Sequence, residues 1–323
     1  MKLRTFGRTG WQVGELGYGM WGMAGWSGWD DTESLTSLQL AADLGVNFFD
    51  TAFAYGDGHS EELLGHALRA NAGQRLYAAT KVPPKNRRWP TRRGDRLDEI
   101  FPAKYIRKYA ERSLKNIRVE SLDLLQFHVW EDEWADDPSW RRTMEDLKRE
   151  GKVRAIGISI NRWEPWNAIR TLRTGLVDAV QVVYNVFDQA PEDELFPVCR
   201  ELNIGVIARV PFDEGSLTGT LTRESRWPAG DFRGAYFRPE NLHPTVDRVD
   251  ALKQVLPAGM TLPELALRFI LSCDDVHVVI PGMRKPANVR ANVQAAAAGP
   301  LPPDSMKELR RHRWDRTPGP NPD

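Results

Sequence analysis

The stretch NFFDTAFAYGDGHSEELLGHAL, residues 47–68, contains a complete βα unit. Its first part, Phe48 to Asp50, is a short apolar run that ends on an acid, as expected of a strand covered on both faces. A glycine-containing loop follows, and Ser60 precedes the amphipathic run EELLGHALRA, which predicts a helix. The same pattern of strand, loop and helix recurs along the rest of the chain.

Short apolar runs alternate with amphipathic stretches about eight times along the chain. The strands are predicted at residues 15–19, 48–50, 76–82, 122–127, 155–159, 179–183, 205–208 and 276–280. The helices are predicted after Asp30, after Ser60, and at residues 103–117, 138–149, 165–173, 192–202, 262–272 and 287–297. Eight such units favour an α/β fold in which a (β/α)8 TIM barrel follows an N-terminal β-hairpin turned at Gly7 to Gly10. We predict one barrel domain at 1–314 and a flexible C-terminal tail at 315–323.

Composition excludes several classes of protein. The 323 residues carry 44 Lys and Arg against 44 Asp and Glu, so no net charge attracts the chain to nucleic acid or to an anionic membrane. No apolar run of about 18 residues is present, which leads us to expect a cytoplasmic protein. Cys199 and Cys273 lie far apart in helix-like segments, and we interpret them as buried free thiols.

Two connections are too long to be plain links between a strand and a helix. They run from 83 to 102 and from 211 to 244, and both follow predicted strands. Barrel enzymes build their sites at the carboxyl ends of the strands, so we predict that both connections are lids over a site there.

The glycines Gly17, Gly19 and Gly22 match the G-x-G-x-x-G fingerprint of dinucleotide-binding folds. That fingerprint requires its last glycine to open a helix, whereas MAGWSGWDDT is typical of a loop. We therefore reject a Rossmann fold and expect these glycines to turn the chain or to bring the first βα loop close to a ligand.

Four polar residues lie at or just beyond the ends of predicted strands: Asp50, Tyr55, Lys81 and His128. Each one alone has an ordinary structural explanation, but a closed barrel brings strand ends together at one rim. A lysine ammonium beside a phenol lowers the phenol's pKa, and an aspartate can hold that lysine. A histidine can donate a hydrogen bond to a carbonyl oxygen. Together the four residues predict a proton-transfer site for a reaction in which negative charge develops on oxygen.

Five segments resemble the aldo-keto reductases, in the order of that family and over almost the whole chain. They are DTAFAYGDGHSEELLGHAL, TKVP at Lys81, LDLLQFH at His128, VQVVYN at Gln181 and VIPGMRKPANVRANV near the end. The resemblance implies an NADPH-dependent reductase of aldehydes or ketones that transfers hydride directly and needs no metal. It assigns Tyr55 as the general acid, Lys81 and Asp50 as the residues that tune it, and His128 as the group that orients the carbonyl.

A basic turn precedes the last predicted helix. Gly282, Met283, Arg284 and Lys285 place backbone donors and two cations where an anion is favoured. The resemblance assigns this turn to the 2′-phosphate of the dinucleotide, with Arg284 first and Lys285 second; an exposed basic helix start is the structural alternative. The further cofactor contacts that it implies are Gly19, Met20, Trp21, Ser159, Asn161, Gln181, Arg209, Pro211, Phe212, Gly215, Ser216, Leu217, Gly219, Gly282, Asn288 and Asn292.

Two of these positions depart from the family pattern. Ile160 stands where an asparagine commonly follows the serine, and Asn161 replaces that asparagine only with a shift of one residue. Arg209 stands where an aromatic ring usually stacks on the nicotinamide, although a planar guanidinium can stack as well. The segment from Pro211 to Gly219 is assigned either to pyrophosphate binding through backbone amides or to a solvated turn.

The substrate end of the predicted site is aromatic. Trp21, Phe53, Trp89 and Trp130 all lie on predicted βα loops, where apolar walls suit a small carbonyl compound. The run from Lys85 to Arg96 has six cations among twelve residues. It is either a solvated face or a charged segment that attracts an anionic substrate or closes over the dinucleotide.

Two other functions are compatible with parts of the sequence. A nucleotide-sensing subunit would keep the barrel and the cofactor site and act through a partner, but the complete set of four polar residues favours catalysis. A metal-dependent barrel hydrolase or isomerase would use some of Asp50, His59, His66, His128 and Glu131. Since neither an HxH nor an HExxH pair occurs, we expect this third function least.

Overall fold

The computed structural model describes residues 1–24 and 28–316 of the 323-residue chain. It begins with an antiparallel hairpin, in which β1 (Leu3–Phe6) pairs with β2 (Trp11–Gly14) across the short 3-10 turn Gly7–Thr9. The predicted opening hairpin is confirmed.

Eight parallel strands follow and form one sheet in which each strand pairs with its neighbours in the chain. They are β3 (Tyr18–Gly19), β4 (Phe48–Asp50), β5 (Tyr77–Val82), β6 (Leu122–Phe127), β7 (Val153–Ser159), β8 (Ala179–Val183), β9 (Gly205–Arg209) and β10 (Val278–Val279). Leu16 bridges to Val279 and Gly19 bridges to Gly282, which brings the two edges of the sheet together. The predicted (β/α)8 barrel is confirmed as a nearly closed ring, and three strands have the predicted bounds.

Helices surround this ring on the outside. They are α1 (Asp31–Asp43), α2 (His59–Ala70), α3 (Leu97–Ile100), α4 (Ala103–Ile117), α5 (Pro138–Arg149), α6 (Ile169–Leu172), α7 (Leu195–Glu201), α8 (Phe232–Tyr236), α9 (Pro239–Gln254), α10 (Leu262–Leu271), α11 (Pro286–Ala297) and α12 (Pro303–Arg310). None of the helices in the described ranges is long and apolar enough to span a membrane.

Most of the predicted helix starts agree with the structure, and three predictions need correction. Asp30 accepts a hydrogen bond from the Glu33 amide at 2.7 Å and caps α1 as expected. Ser60 is not a cap, because α2 already begins at His59 and the Ser60 hydroxyl bonds to Thr51 instead. The helix predicted at 165–173 is reduced to the single turn α6, and the connection predicted at 211–244 contains α8 and the start of α9.

Close packing at the barrel seam explains two of the early glycines. A Cβ on Gly19 would lie 2.5 Å from the Ile280 carbonyl oxygen, and one on Gly17 would lie 2.8 Å from the Val278 side chain. Gly22 lies in a 3-10 turn and opens no α-helix. The rejection of a Rossmann fold is therefore confirmed, and the glycines permit the first and last strands to approach.

The hairpin closes the amino-terminal end of the barrel. Phe6 packs on Phe48 with 5.5 Å between ring centroids, and its ring also fills the space in front of Gly205. These residues belong to the apolar cluster inside the barrel. With this end filled by side chains, the opposite rim is the place for a site.

Both long connections lie at that opposite rim. The second one contains its own small apolar cluster of Phe237, Leu242 and Val246, separate from the main core. Arg316, the last residue that the structure describes, forms ion pairs with Asp188 and Asp213. The anchored chain therefore extends beyond the predicted boundary at 314, and residues 317–323 of the predicted tail lie outside the described part.

Candidate active site

A buried ion pair lies at the centre of the rim. Lys81 in β5 donates from Nζ to Asp50 Oδ1 at 2.5 Å and to the Thr51 carbonyl at 2.8 Å. The side chains of Lys81 and Asp50 are only 1% and 2% exposed. Two buried charges require partners for all their polar atoms, because few waters reach them.

Two glutamine amides satisfy the second aspartate oxygen. Gln126 Nε2 donates to Asp50 Oδ2 at 3.0 Å, and Gln181 Nε2 donates to the same atom at 2.9 Å. Gln181 was assigned to the cofactor, whereas Gln126 was not singled out by the sequence analysis. The signal for Gln126 was a polar residue inside the buried strand LDLLQF.

Tyr55 and His128 lie beside this ion pair. The Lys81 ammonium is 5.2 Å from the centroid of the Tyr55 ring. The Tyr55 and His128 rings meet edge to face, with 5.6 Å between centroids. The structure thus brings together all four residues predicted from the strand ends.

The environment sets the protonation of both rings. Burial raises the pKa of Tyr55 above its ordinary value, although the Lys81 ammonium opposes that rise. The expectation that lysine would bring this pKa below the ordinary value is therefore corrected, because desolvation outweighs the charge. Burial, together with the charges of Lys81 and Arg209, holds the pKa of His128 well below its usual range. At neutral pH the phenol keeps its proton and the imidazole is neutral.

These groups line a cleft of about 1730 Å³ that extends to the basic turn before α11. Most of the predicted contacts line it. They are Gly19, Met20, Trp21, Ser159, Asn161, Gln181, Arg209, Pro211, Phe212, Gly215, Gly282, Arg284, Lys285 and Asn288. A cleft of this volume can hold a ligand larger than most drug-sized molecules.

Two buried hydroxyl groups hold the basic turn at residues 282–285 in place. The Tyr18 and Ser37 hydroxyls both donate to the Met283 carbonyl, at 2.8 and 2.5 Å, and the Met283 side chain is buried. Arg284 Nη1 and Asn292 Nδ2 are buried atoms without a hydrogen-bond partner. Unsatisfied donors beside a cleft indicate a ligand that supplies acceptors.

The loop after β9 differs from its predicted role. The Leu217 and Gly219 amides, which were expected to donate to a pyrophosphate, donate instead to the carbonyls of Phe212 and Ser216. The Ser216 hydroxyl donates to Asp213 at 2.7 Å. Ser216, Leu217 and Gly219 do not line the cleft, because the loop satisfies its own donors and turns these residues towards the protein. Asn292, which lies on α11, does not line the cleft either.

A network of two arginines and two aspartates fixes that loop. This network was not predicted from the sequence. Arg162 and Arg316 each pair with both Asp188 and Asp213, and the Tyr236 hydroxyl donates to Asp213 at 3.1 Å. The available signal was a set of charged residues that follow β7, β8 and β9 on their connecting loops.

Fewer of the predicted aromatic residues line the substrate end of the cleft than expected. Trp21 and Trp89 line the cleft and are 39% and 42% exposed. The structure corrects the other two assignments, because Phe53 packs on Tyr109 and Trp130 is fully buried with its indole nitrogen bonded to Thr171. Their loops direct both side chains into the core.

The basic run from Lys85 to Arg96 borders the cleft, and much of its charge is paired. Arg87 pairs with Asp57 at 2.9 Å, and Arg88 pairs with Asp95. These pairs weaken the hypothesis that the run attracts an anionic substrate, since opposite charges lie beside it.

Two of the residues named for a metal site have other partners. His59 contacts Asp31 at 2.9 Å, and Glu131 accepts hydrogen bonds from Thr91 and Asn167. Within residues 1–24 and 28–316, no three His, Cys, Asp or Glu side chains are grouped as metal ligands would be. The geometry therefore favours the proton-transfer site over a metal-dependent hydrolase.

Polar groups at the two ends of the cleft suit a nicotinamide dinucleotide. At one end, His128 Nδ1 and Arg209 Nε are buried without partners near Tyr55, and at the other end Arg284 Nη1 is equally unpartnered. Donors are thus available both near the proton donor and at a basic turn, which fits a long ligand with a polar ring and an anionic group.

The buried ion pair gives a first prediction. Asp50→Asn leaves the Lys81 ammonium buried without a counter-charge, and we expect it to lower the free energy of unfolding by about 3–5 kcal/mol. Urea unfolding followed by tryptophan fluorescence measures this. The double variant Asp50→Asn/Lys81→Met should unfold nearer to the wild-type midpoint than Asp50→Asn does; additive losses would show that the two charges do not stabilise each other.

Comparisons with known proteins agree with the fold. Residues 15–313 match the model of the Aldo/keto reductase family. A NADH-specific methylglyoxal reductase of Escherichia coli K12 is 30% identical over 263 residues, which cover 78% of this chain and 78% of that protein.

Two solved structures are similar over nearly the whole chain. The holo form of an aldo-keto reductase from Bacillus halodurans has a TM-score of 0.77 at 27% identity, with 99% of each chain covered. A glycerol dehydrogenase from Gluconobacter oxydans has a TM-score of 0.76 at 27% identity, with 96% of this chain and 95% of that chain covered.

Proposed function

The chain belongs to the aldo/keto reductase family, and from this premise we propose that it reduces an aldehyde or ketone with NADPH and with Tyr55 as the general acid. The observation that carries the proposal is the contact of Tyr55 with both His128 and Lys81 at the base of the cleft. The basic turn at the other end supports a dinucleotide with a 2′-phosphate. Unpaired cysteines are typical of a reducing compartment and support a cytoplasmic location.

The four residues have separate roles in this reaction. A bound reduced nicotinamide supplies hydride to the carbonyl carbon. The carbonyl oxygen gains negative charge as the hydride arrives, and Tyr55 transfers its phenolic proton to that oxygen. The ammonium of Lys81 stabilises the phenolate that remains, and Asp50 holds the ammonium in place. The neutral His128 ring donates a hydrogen bond that orients the carbonyl.

Other residues position the cofactor. Ser159 and Asn161 line the cleft beside the catalytic group and supply hydroxyl and amide groups for the nicotinamide carboxamide. Gln181 already donates to Asp50, so its free oxygen is the group left for that contact. Arg284, Lys285 and Asn288 bind the adenosine end. Trp21 and Trp89 form the apolar wall against which the substrate lies.

Tyr55→Phe tests the proton donor. The ring and its packing remain while the acidic hydrogen is removed, so we expect kcat for reduction to fall about 10²-fold or more. Isothermal titration should give nearly the wild-type Kd for NADPH. Unchanged turnover would assign the proton to another group, whereas tight NADPH binding by a wild type that turns over no carbonyl would favour the nucleotide-sensing alternative.

The pH dependence of turnover follows from the two pKa directions. Reduction needs protonated Tyr55, and a raised pKa keeps that form beyond the ordinary phenol value of about 10. It also needs neutral His128, and a lowered pKa keeps that form below the ordinary imidazole value of about 6.5. We therefore expect kcat to be constant between about pH 6.5 and 10 in steady-state assays. A titration centred within that interval contradicts this assignment.

Arg284→Met tests the choice of dinucleotide. Loss of a guanidinium from the 2′-phosphate removes charge-assisted hydrogen bonds, and we expect Kd for NADPH to rise about tenfold or more while Kd for NADH changes little. Arg290→Met is the matched control, since Arg290 is exposed on α11 and does not line the cleft. Equal effects on the two nucleotides would place the 2′-phosphate elsewhere, and tighter NADH binding by the wild type would identify NADH as the cofactor.

A further inference from the structure

Arg209 has no ion-pair partner within 4 Å among the described residues, and Glu214 is the acid that acts on it most strongly. Its Nη2 donates to the Ile160 carbonyl at 3.1 Å, and its buried Nε has no hydrogen-bond partner. Neighbouring Arg162 and Arg316 both bind aspartates, but no carboxylate oxygen of residues 1–24 or 28–316 lies within 4 Å of the Arg209 guanidinium. A partly buried guanidinium without an ion pair is costly, so the site gains something from keeping it.

The topology places this charge opposite the catalytic group. In the ring of eight strands that runs from β3 to β10, β5 is third and β9 is seventh, so Lys81 and Arg209 come from strands on opposite sides. Tyr55 follows β4 and His128 follows β6, on either side of Lys81. A planar ring that shows one face to Tyr55 and His128 therefore shows its other face to the end of β9, where Arg209 lines the cleft.

The other charged residues near Arg209 pair with one another and not with Arg209. Asp50 and Lys81 form one neutral pair, and Arg162, Arg316, Asp188 and Asp213 balance two against two. Glu214 also lines the cleft, and burial raises the pKa of its carboxyl group, but it forms no ion pair with Arg209 within 4 Å. In the described residues, Arg209 thus lies beside the space for the reacting ring as a guanidinium without an ion pair.

On the basis of the proposed nicotinamide-dependent reduction, we propose that Arg209 makes the site discriminate between the two redox states of the cofactor. A nicotinamide ring is neutral when reduced and becomes a cation when its hydride, with both electrons, has passed to the carbonyl carbon. The Arg209 charge repels that cation at short range and leaves the neutral ring unaffected. The site therefore binds the reduced form in preference and releases the oxidised product.

The test compares the affinities of the two redox forms. Isothermal titration with NADPH and NADP⁺, and in parallel with NADH and NAD⁺, gives the ratio of Kd for the oxidised form to Kd for the reduced form. We expect this ratio to fall about tenfold or more in Arg209→Met and in Arg209→Gln. A tenfold fall corresponds to about 30 mV in the potential of the bound two-electron couple. NADP⁺ should also become a stronger product inhibitor of both variants.

Two further variants separate charge from shape and from general binding. Arg209→Lys keeps the charge and should keep most of the wild-type ratio. Arg284→Met removes a cation from the far end of the same cleft and should weaken both redox forms equally, since the 2′-phosphate is the same in both. Thermal melting checks the fold, and we expect Arg209→Met to be at least as stable as the wild type because it removes a partly buried charge that has no ion pair.

Each outcome decides a different point. An unchanged ratio in Arg209→Met and Arg209→Gln, or an Arg209→Lys ratio that equals theirs, overturns the role of the charge while the proposed reduction stands. A wild type that binds no nicotinamide dinucleotide overturns the proposed function, and the inference with it. A fall in the ratio for the neutral variants alone, with Arg209→Lys and Arg284→Met near the wild-type ratio, supports the inference.

Discussion

The buried pair of Lys81 and Asp50 is the interaction on which the rest of the site depends. Two charges that are almost fully removed from water are tolerated only when every polar atom has a partner. The partners are the Thr51 carbonyl and the amides of Gln126 and Gln181, so the pair connects four different strands of the barrel. A shift in any of these strands would break the set, and the ammonium would no longer lie beside Tyr55. The same contacts therefore hold the strands of the barrel together and place the ammonium beside Tyr55.

How the charges are distributed explains why the cleft can select its ligand. Where the chain needs rigidity, charges are balanced, as in the network of Arg162, Arg316, Asp188 and Asp213 that fixes the loop after β9. Where the cleft faces a ligand, cations are left without acids, as at Arg209 and at Arg284 Nη1. The zero net charge of the sequence conceals this local surplus. A ligand with a neutral ring at one end and phosphates at the other matches it.

The sequence predicted the barrel well because its signals are local. Apolar runs, caps and breakers fixed several strands to the residue and placed Asp50, Lys81 and His128 at strand ends, which a closed ring must bring together. The sequence-based predictions failed where the deciding contact is distant in the sequence or depends on the direction in which a side chain points. The helix α9 contains Pro244 and follows a region rich in glycine, and Arg316 stands beside a run typical of a frayed end. Phe53 and Trp130 were wrong because loop sequence does not reveal which way a side chain points.

The same limit explains the direction of the Tyr55 pKa. The sequence identifies the lysine that stabilises a phenolate, but it does not reveal how deeply the phenol is buried. Burial has the largest effect on the pKa of Tyr55 and keeps the proton on the phenol. Asp50 opposes the effect of the Lys81 ammonium on the pKa of Tyr55. The unpaired Arg209 also favours the phenolate, and it acts on the same ring from across the barrel. In the reduction that we propose, this cation assists proton release at the moment when negative charge forms on the carbonyl oxygen, without deprotonating Tyr55 beforehand.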